Sequence, residues 1–127
     1  MIKINLEKYY DIVSNLDFEE IKKNKKKLIN LIKNKNFKEK LSRNPKHCFY
    51  YCKYIYEKRC IDLEEYFLRD STEALNYSVY VLNEELPETL HNFMIAKSLE
   101  DDNSAKQYFV YWGSLKNKNL GVWGNYK

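Results

Sequence analysis

The chain has 127 residues, 44% of them hydrophobic and 31% charged, with three Gly, two Pro and a net charge of +4. That length suits one domain around one continuous core, and the scarcity of turn formers disfavours a turn-rich β architecture, so the expected fold is all-α. No charge-free apolar run approaches the roughly 18 residues of a membrane span, and Lys3, Glu7, Lys8, Asp11, Asp17, Glu19 and Glu20 leave no signal-peptide core near the start, so a soluble protein that is not secreted by that route is expected.

In chain order, Leu6, Tyr9, Tyr10 and Val13 at helical spacing predict a short amphipathic helix over 5–15, with Lys8 and Asp11 facing water. Asp17 followed by Glu20 is a capping-box signature: the Asp carboxylate accepts from the N3 amide and the Glu reaches back to the cap amide, so a second helix starts there. Its apolar stripe is Phe18, Ile21, Leu28, Leu31 and Ile32, interrupted by Lys25, and Asn34 or Asn36 ends or restarts it. A short helix from Phe37 to Leu41 follows, with Asn36 and Glu39 as a second box. Asn44-Pro45, a good N-cap before proline at N1, opens a longer helix near 45–57, and Asp62 with Glu65 opens a shorter one near 63–69. Asp70 or Ser71 caps the next long helix, near 72–83, and Pro87 opens another near 87–97. Glu100-Asp101-Asp102 and Asn103-Ser104 cap a last helix bearing Ala105, Tyr108, Phe109, Tyr111 and Trp112. Residues 120–127, with two glycines and no helical period, are expected to form an extended tail.

Residues 48–56, Cys-Phe-Tyr-Tyr-Cys-Lys-Tyr-Ile-Tyr, recur in kind 26 residues later as Ala-Leu-Asn-Tyr-Ser-Val-Tyr-Val-Leu at 74–82. Small residues fall at 48/74 and 52/78, tyrosines at 51/77 and 54/80, and large apolar residues at 49/75, 55/81 and 56/82, under one offset. This is an internal repeat of helix, turn and shorter helix, in which each unit buries only one face and neighbours must stack. The expected organisation is a solenoid-like helical domain over 1–119: N-terminal Lys-rich helices at 1–43, one unit at 44–70, a second at 71–97 and a degenerate third at 98–119, with the tail at 120–127. The small residues Cys48, Cys52, Ala74 and Ser78 are expected where a neighbouring helix approaches closely.

The unit resembles a short tandem repeat of large-bacteriophage and giant-virus proteins, Ala-x-x-Tyr-Ala-x-x-Val, then Arg-x-x-Glu-x-Glu, then an Asp-Pro-like cap. The first copy supplies Cys48, Tyr51, Cys52, Ile55, Arg59, Glu64 and Asp70; the second supplies Ala74, Tyr77, Ser78, Val81, Pro87 and Glu88. In the second copy Glu85 stands in place of the Arg and Leu90 in place of the second Glu. The resemblance covers residues 44–96 and implies a helical-repeat fold and a viral or mobile-element origin, and it transfers no catalytic residue.

Charge divides along the chain. Residues 22–46 hold eleven Lys or Arg against Glu39, whereas residues 57–102 hold twelve acids against Lys58, Arg59, Arg69 and Lys97. A Lys-rich helix is usually a solvated face, yet this density also suits phosphate or an acidic protein surface. The candidate electrostatic surface is therefore Lys22, Lys23, Lys25, Lys26, Lys27, Lys33, Lys35, Lys38, Lys40 and Arg43. An alternative acidic surface is Glu64, Glu65 and Glu88, although these acids, with Asp62, are read first as helix-start carboxylates meeting dipole and cap amides. His47, Cys48, Cys52 and Cys60 could be imagined as zinc ligands. The absence of a C-x-x-C pair, and the small residues at the equivalent positions 74 and 78, favour packing cysteines in a reducing compartment. The tyrosines could be base-stacking platforms beside lysines, but Tyr51, Tyr54, Tyr77 and Tyr80 recur with the repeat and are read as packing positions with a hydroxyl at the rim, while Tyr50 and Tyr56 are freer to be exposed.

No acid, base, nucleophile or phosphate loop emerges, and no metal or cofactor is expected. The expected function is non-enzymatic binding of a macromolecule, in a viral or mobile-element protein acting inside the host cell, as an inhibitor or adaptor on a host protein or nucleoprotein complex. The alternative is a nucleic-acid-binding module, for RNA or DNA, using residues 22–46.

Overall fold

The computed structural model describes the backbone of residues 5–120 and the side chains of residues 5–113, and its described residues form helices without a strand. α1 spans Leu6–Ser14, α2 Phe18–Asn30 with a 3-10 turn at Leu31–Lys33, and α3 Lys35–Ser42. α4 runs Pro45–Tyr51 into a π turn at Cys52–Tyr56, and α5 runs Ile61–Glu64 into a 3-10 turn at Glu65–Arg69. α6 runs Ser71–Tyr77 into a π turn at Ser78–Leu82; α7 is Glu88–Leu99 and α8 is Asn103–Leu120. The tail expected over 120–127 lies outside the described residues apart from Leu120, the last residue of α8.

The starts follow the capping chemistry closely. Asn5, Asp17, Asn34, Asn44 and Asp70 each accept a backbone N–H of the first turn on the side-chain oxygen, satisfying an orphan donor. Four expectations need correction. α5 starts at Ile61 after Cys60, with no side-chain cap, so Asp62 with Glu65 does not open it, and Pro87 is the cap residue of α7, which starts at Glu88. The cap of α3 is Asn34, bound by the Phe37 amide at 2.9 Å, so the helix starts at Lys35 and the Asn36–Glu39 box does not exist. Glu20 does not return to the Asp17 amide, which instead donates to the Ile12 carbonyl. The Glu20 carboxylate and carbonyl both accept from the Asn24 amide group, and Asn24 leaves helical geometry at φ −111° and ψ 15°, breaking α2 into two differently phased turns.

α4 and α6 end alike. Glu57 (φ 58°) and Asn83 (φ 53°) are left-handed, and each donates its amide to the carbonyl five residues back, on Cys52 and Ser78. Glu57 and Asn83 are themselves 26 residues apart. α4 packs against α6 and α6 against α8, with Cys48, Cys52, Ala74, Ser78 and Ala105 fully buried, as close helix approach through small residues requires. Around them lie Val13, Leu28, Phe37, Leu41, Ile55, Leu63, Phe67 and Met94, all without exposure.

Three fully buried tyrosines join neighbouring segments through their hydroxyls. Tyr51 donates to the Leu28 and Ile29 carbonyls where α2 gives way to its 3-10 turn. The Tyr77 hydroxyl accepts from the Cys60 amide at 3.1 Å and donates to the Glu64 carboxylate. The Tyr108 hydroxyl accepts from the Leu86 amide at 2.8 Å and shares a 2.8 Å bond with His91 Nδ1. Each ring thus fills core volume while its oxygen satisfies backbone groups at a helix end or loop that would otherwise be buried unpaired. Burial pushes the Tyr51 and Tyr77 hydroxyls far up and that of Tyr108 up to about 12, so all three stay protonated as donors.

Candidate binding faces

The lysines of the basic segment spread over several surfaces. Lys22, Lys23, Lys25, Lys26 and Lys27 lie on α2, Lys33 in its 3-10 turn, Lys35, Lys38 and Lys40 on α3, and Arg43 just after it. Lys25 pairs with Glu57 and Lys40 with Glu7, so these two spend charge on intramolecular partners, and Lys23 lies 3.6 Å from Glu20 at the surface. Lys22, Lys26, Lys27, Lys33, Lys35 and Lys38 make no ion pair among the described residues.

The acids Glu64, Glu65 and Glu88 do come together, around one groove of about 290 Å³ between α5 with its 3-10 turn and the start of α7, lined also by Arg59, Leu68, Pro87 and Leu90. Their assignment as capping carboxylates needs correction for Glu64. That side chain is buried, receives two N–H bonds from Arg59 at 2.8 and 3.1 Å, and accepts the Tyr77 hydroxyl. It satisfies a buried network, leaving Glu65 and Glu88 as the exposed carboxylates of the groove.

The cysteines are free and buried. Cys48 Sγ donates to the Leu41 carbonyl at 3.3 Å, and burial pushes its thiol up to about 12, far from a reactive thiolate. Burial raises the Cys52 thiol as well, its neighbour Cys60 adding to the shift. Among the described residues, no cluster of three or more His, Cys, Asp or Glu side chains is arranged to hold a metal. No described helix is long and apolar enough to cross a membrane.

The tyrosine assignments divide. Tyr51 and Tyr77 are core, whereas Tyr54 is half-buried and Tyr80 is 58% exposed, so the second tyrosine of each pair is a surface residue. Phe18, placed by spacing on the buried stripe of α2, is 57% exposed. It contacts Tyr54 edge-on, with ring centroids 5.3 Å apart. From there the rings continue: Tyr54 to Tyr50, Tyr50 to Phe49 and His47, Phe49 to Tyr80, and His47 to Tyr10. The Tyr10 hydroxyl shares a 2.9 Å bond with His47 Nδ1, and burial, helped by Lys46, lowers the imidazole so that it stays neutral near pH 7. Three lysines lie over these rings: Lys46 over Tyr50, Lys40 over Tyr10, and Lys53 over both Tyr54, at 5.2 Å, and Tyr80, at 4.6 Å. α1, α2, α4, α6 and the π turns after the last two thus bring together a set of rings edged by cations, Tyr80 being joined to the rest through the buried Phe49 and through Lys53. Its signal is in the sequence: Lys46, Tyr50 and Tyr54 repeat at i, i+4 and i+8, one stripe of one helix.

No protein-family profile matches the chain, and neither the curated proteins nor the solved structures contain a significant match to it.

Proposed function

We propose that the protein works by binding a macromolecule, without catalysing a reaction, through the face of rings and lysines on α1, α2, α4 and α6. The observation that carries this is the exposure of Phe18 and Tyr80, each more than half in water, within a continuous set of ring contacts. Leaving such side chains exposed forgoes part of the about 1.5–3 kcal/mol that full burial of each would contribute, and exposed rings beside Lys46 and Lys53, which make no ion pair among the described residues, suit a contact face better than a solvated one. Lys22, Lys26 and Lys27 extend the positive field beside it. The raised, buried thiols support a binding role over nucleophilic chemistry.

We read the scaffold as stacked helical-hairpin units, in line with the resemblance to viral tandem repeats. Two recurrences support this. Left-handed residues end α4 and α6 at the 26-residue offset, and the amides of Cys60 and Leu86, separated by the same offset, are both bound by a tyrosine of a following long helix. The role that suits such a scaffold is an adaptor or inhibitor of viral or mobile-element origin, seated on a host protein or nucleoprotein complex inside the cell.

The test is affinity capture from host-cell lysate by the immobilised protein, by a Lys22→Gln, Lys46→Gln, Lys53→Gln variant, and by a Glu65→Gln, Glu88→Gln variant. Loss of the captured partner in the lysine variant alone is expected. Equal capture by all three, or loss confined to the acidic-groove variant, would move the function elsewhere on the molecule.

A further inference from the structure

We infer that the face takes single-stranded nucleic acid, whose bases stack on Phe18, Tyr54 and Tyr80 while its phosphates meet Lys22, Lys46 and Lys53; this rests on the binding role proposed above. What the surface offers is planar π area combined with positive charge. Phe18 and Tyr80 are more than half exposed, and no carboxylate lies within ion-pair distance of Lys22, Lys46 or Lys53 among the described residues. An acidic protein surface would satisfy the cations but does not set a planar ring beside each anion; an apolar one would bury the rings and strand the cations. A single strand supplies anionic groups and planar ones at every nucleotide.

Placement of the charges agrees with this. Lys22 lies one helical turn beyond Phe18 on α2, and α2 packs along the π turn that carries Lys53 and Tyr54, so the basic segment adjoins the rings directly. The Lys53 ammonium, within reach of the Tyr54 and Tyr80 rings alike, occupies in the free protein the electron-rich ring faces that a base would cover. When a base takes the ring, that ammonium moves to the adjoining phosphate on its flexible stem, so the cation exchanges one electrostatic partner for another. All three cations are lysines, point charges on mobile chains that follow a flexible backbone without demanding the fixed fork geometry of arginine. A duplex keeps its bases stacked inside and presents none to the rings, so the strand must be single.

The measurement is fluorescence anisotropy of labelled homopyrimidine DNA and RNA oligonucleotides titrated with the full chain, alongside the corresponding duplexes and a salt series. Binding of the single strands with weaker binding of the duplexes is expected. Tyr54→Ala and Tyr80→Ala should each weaken it roughly 5- to 150-fold, the range that stacking one base implies. Tyr80→Phe keeps the ring and should bind like the parent, which separates stacking from any effect on folding. Replacing Lys22, Lys46 or Lys53 by Gln should make the slope of log affinity against log salt shallower by about 0.7 for each phosphate that is no longer neutralised. The inference is overturned by no single-strand binding at low salt, by duplexes binding as tightly, or by alanine variants that bind like the parent. Captured material that survives nuclease yet disappears in the lysine variant would overturn it too, while leaving the broader binding role standing.

Discussion

Tyr77 shows how one atom links chemistry to architecture. Its ring fills the core against Phe67, with centroids 4.7 Å apart, while its oxygen serves the Cys60 amide and the Glu64 carboxylate. Removing only the hydroxyl keeps the packing, leaves the buried Cys60 N–H without its partner, and leaves Glu64 Oε2 with the Arg59 Nε–H alone. Tyr77→Phe is therefore expected to lower stability by about 1–3 kcal/mol in urea unfolding, although phenylalanine is the more apolar residue. A neutral or stabilising result would mean that water reaches both groups. Arg59 keeps both of its bonds to the Glu64 carboxylate in that variant, so the cost falls mainly on the Cys60 amide.

At the scale of elements, the left-handed residues after the π turns set where the chain turns from each long helix. Both side chains carry a Cβ that crowds the following carbonyl, at a cost of about 1–2 kcal/mol, but Asn adopts this conformation more readily than Glu because its short amide can hydrogen-bond locally. Glu57 offsets little of that through its exposed ion pair with Lys25, a contact of the kind worth about 0–1 kcal/mol. Glu57→Gly is expected to raise the urea midpoint modestly, and Asn83→Val to lower it, because a β-branched side chain is the worst fit to positive φ. If the two substitutions shift the midpoint in the same direction, backbone strain is not the controlling term at these positions.

For the whole molecule, the joint between α6 and α8 is where acid acts. The Asp102 carboxylate accepts from the Ala105 amide at 2.9 Å, capping α8, and from the Ser71 hydroxyl at the start of α6. The Ala105 amide, then Ser71, hold this carboxyl below the usual aspartate range. A depressed folded-state pKa means that its stabilisation is fully present above the unfolded value of about 4 and is lost as pH falls through the folded value. Glu73 acts oppositely: burial raises its carboxyl, a shift partly offset by Asn76, so its contribution falls as pH rises from the unfolded value through the folded one. Asp102→Asn is expected to lower the melting temperature at pH 7 and to converge with the parent in strong acid. A constant difference at every pH would show that the charge of Asp102 contributes nothing.

Local chemistry by itself determined the helical class, most helix starts and the burial of the small residues and first tyrosines of the 26-residue pattern, at 48/74, 52/78 and 51/77. An N-cap side chain bonds an amide two or three residues away, and apolar spacing reports one helix face, so neither needs a distant partner. Tertiary structure alone decided the rest. Spacing placed Phe18 in the core, but at the first position of α2, ahead of the buried Ile21, it meets Tyr54 at the surface. The tyrosine pairs looked alike because a periodic pattern records position along a helix and not what packs against it. Tyr51 and Tyr77 found backbone groups to bind, while Tyr54 and Tyr80 found each other's neighbourhood around Lys53. Glu64 resembled a capping acid because nothing local announces a hydroxyl thirteen residues away. The candidate face combines residues from four helices, and only packing brings Phe18, Lys53 and Tyr80 onto one surface.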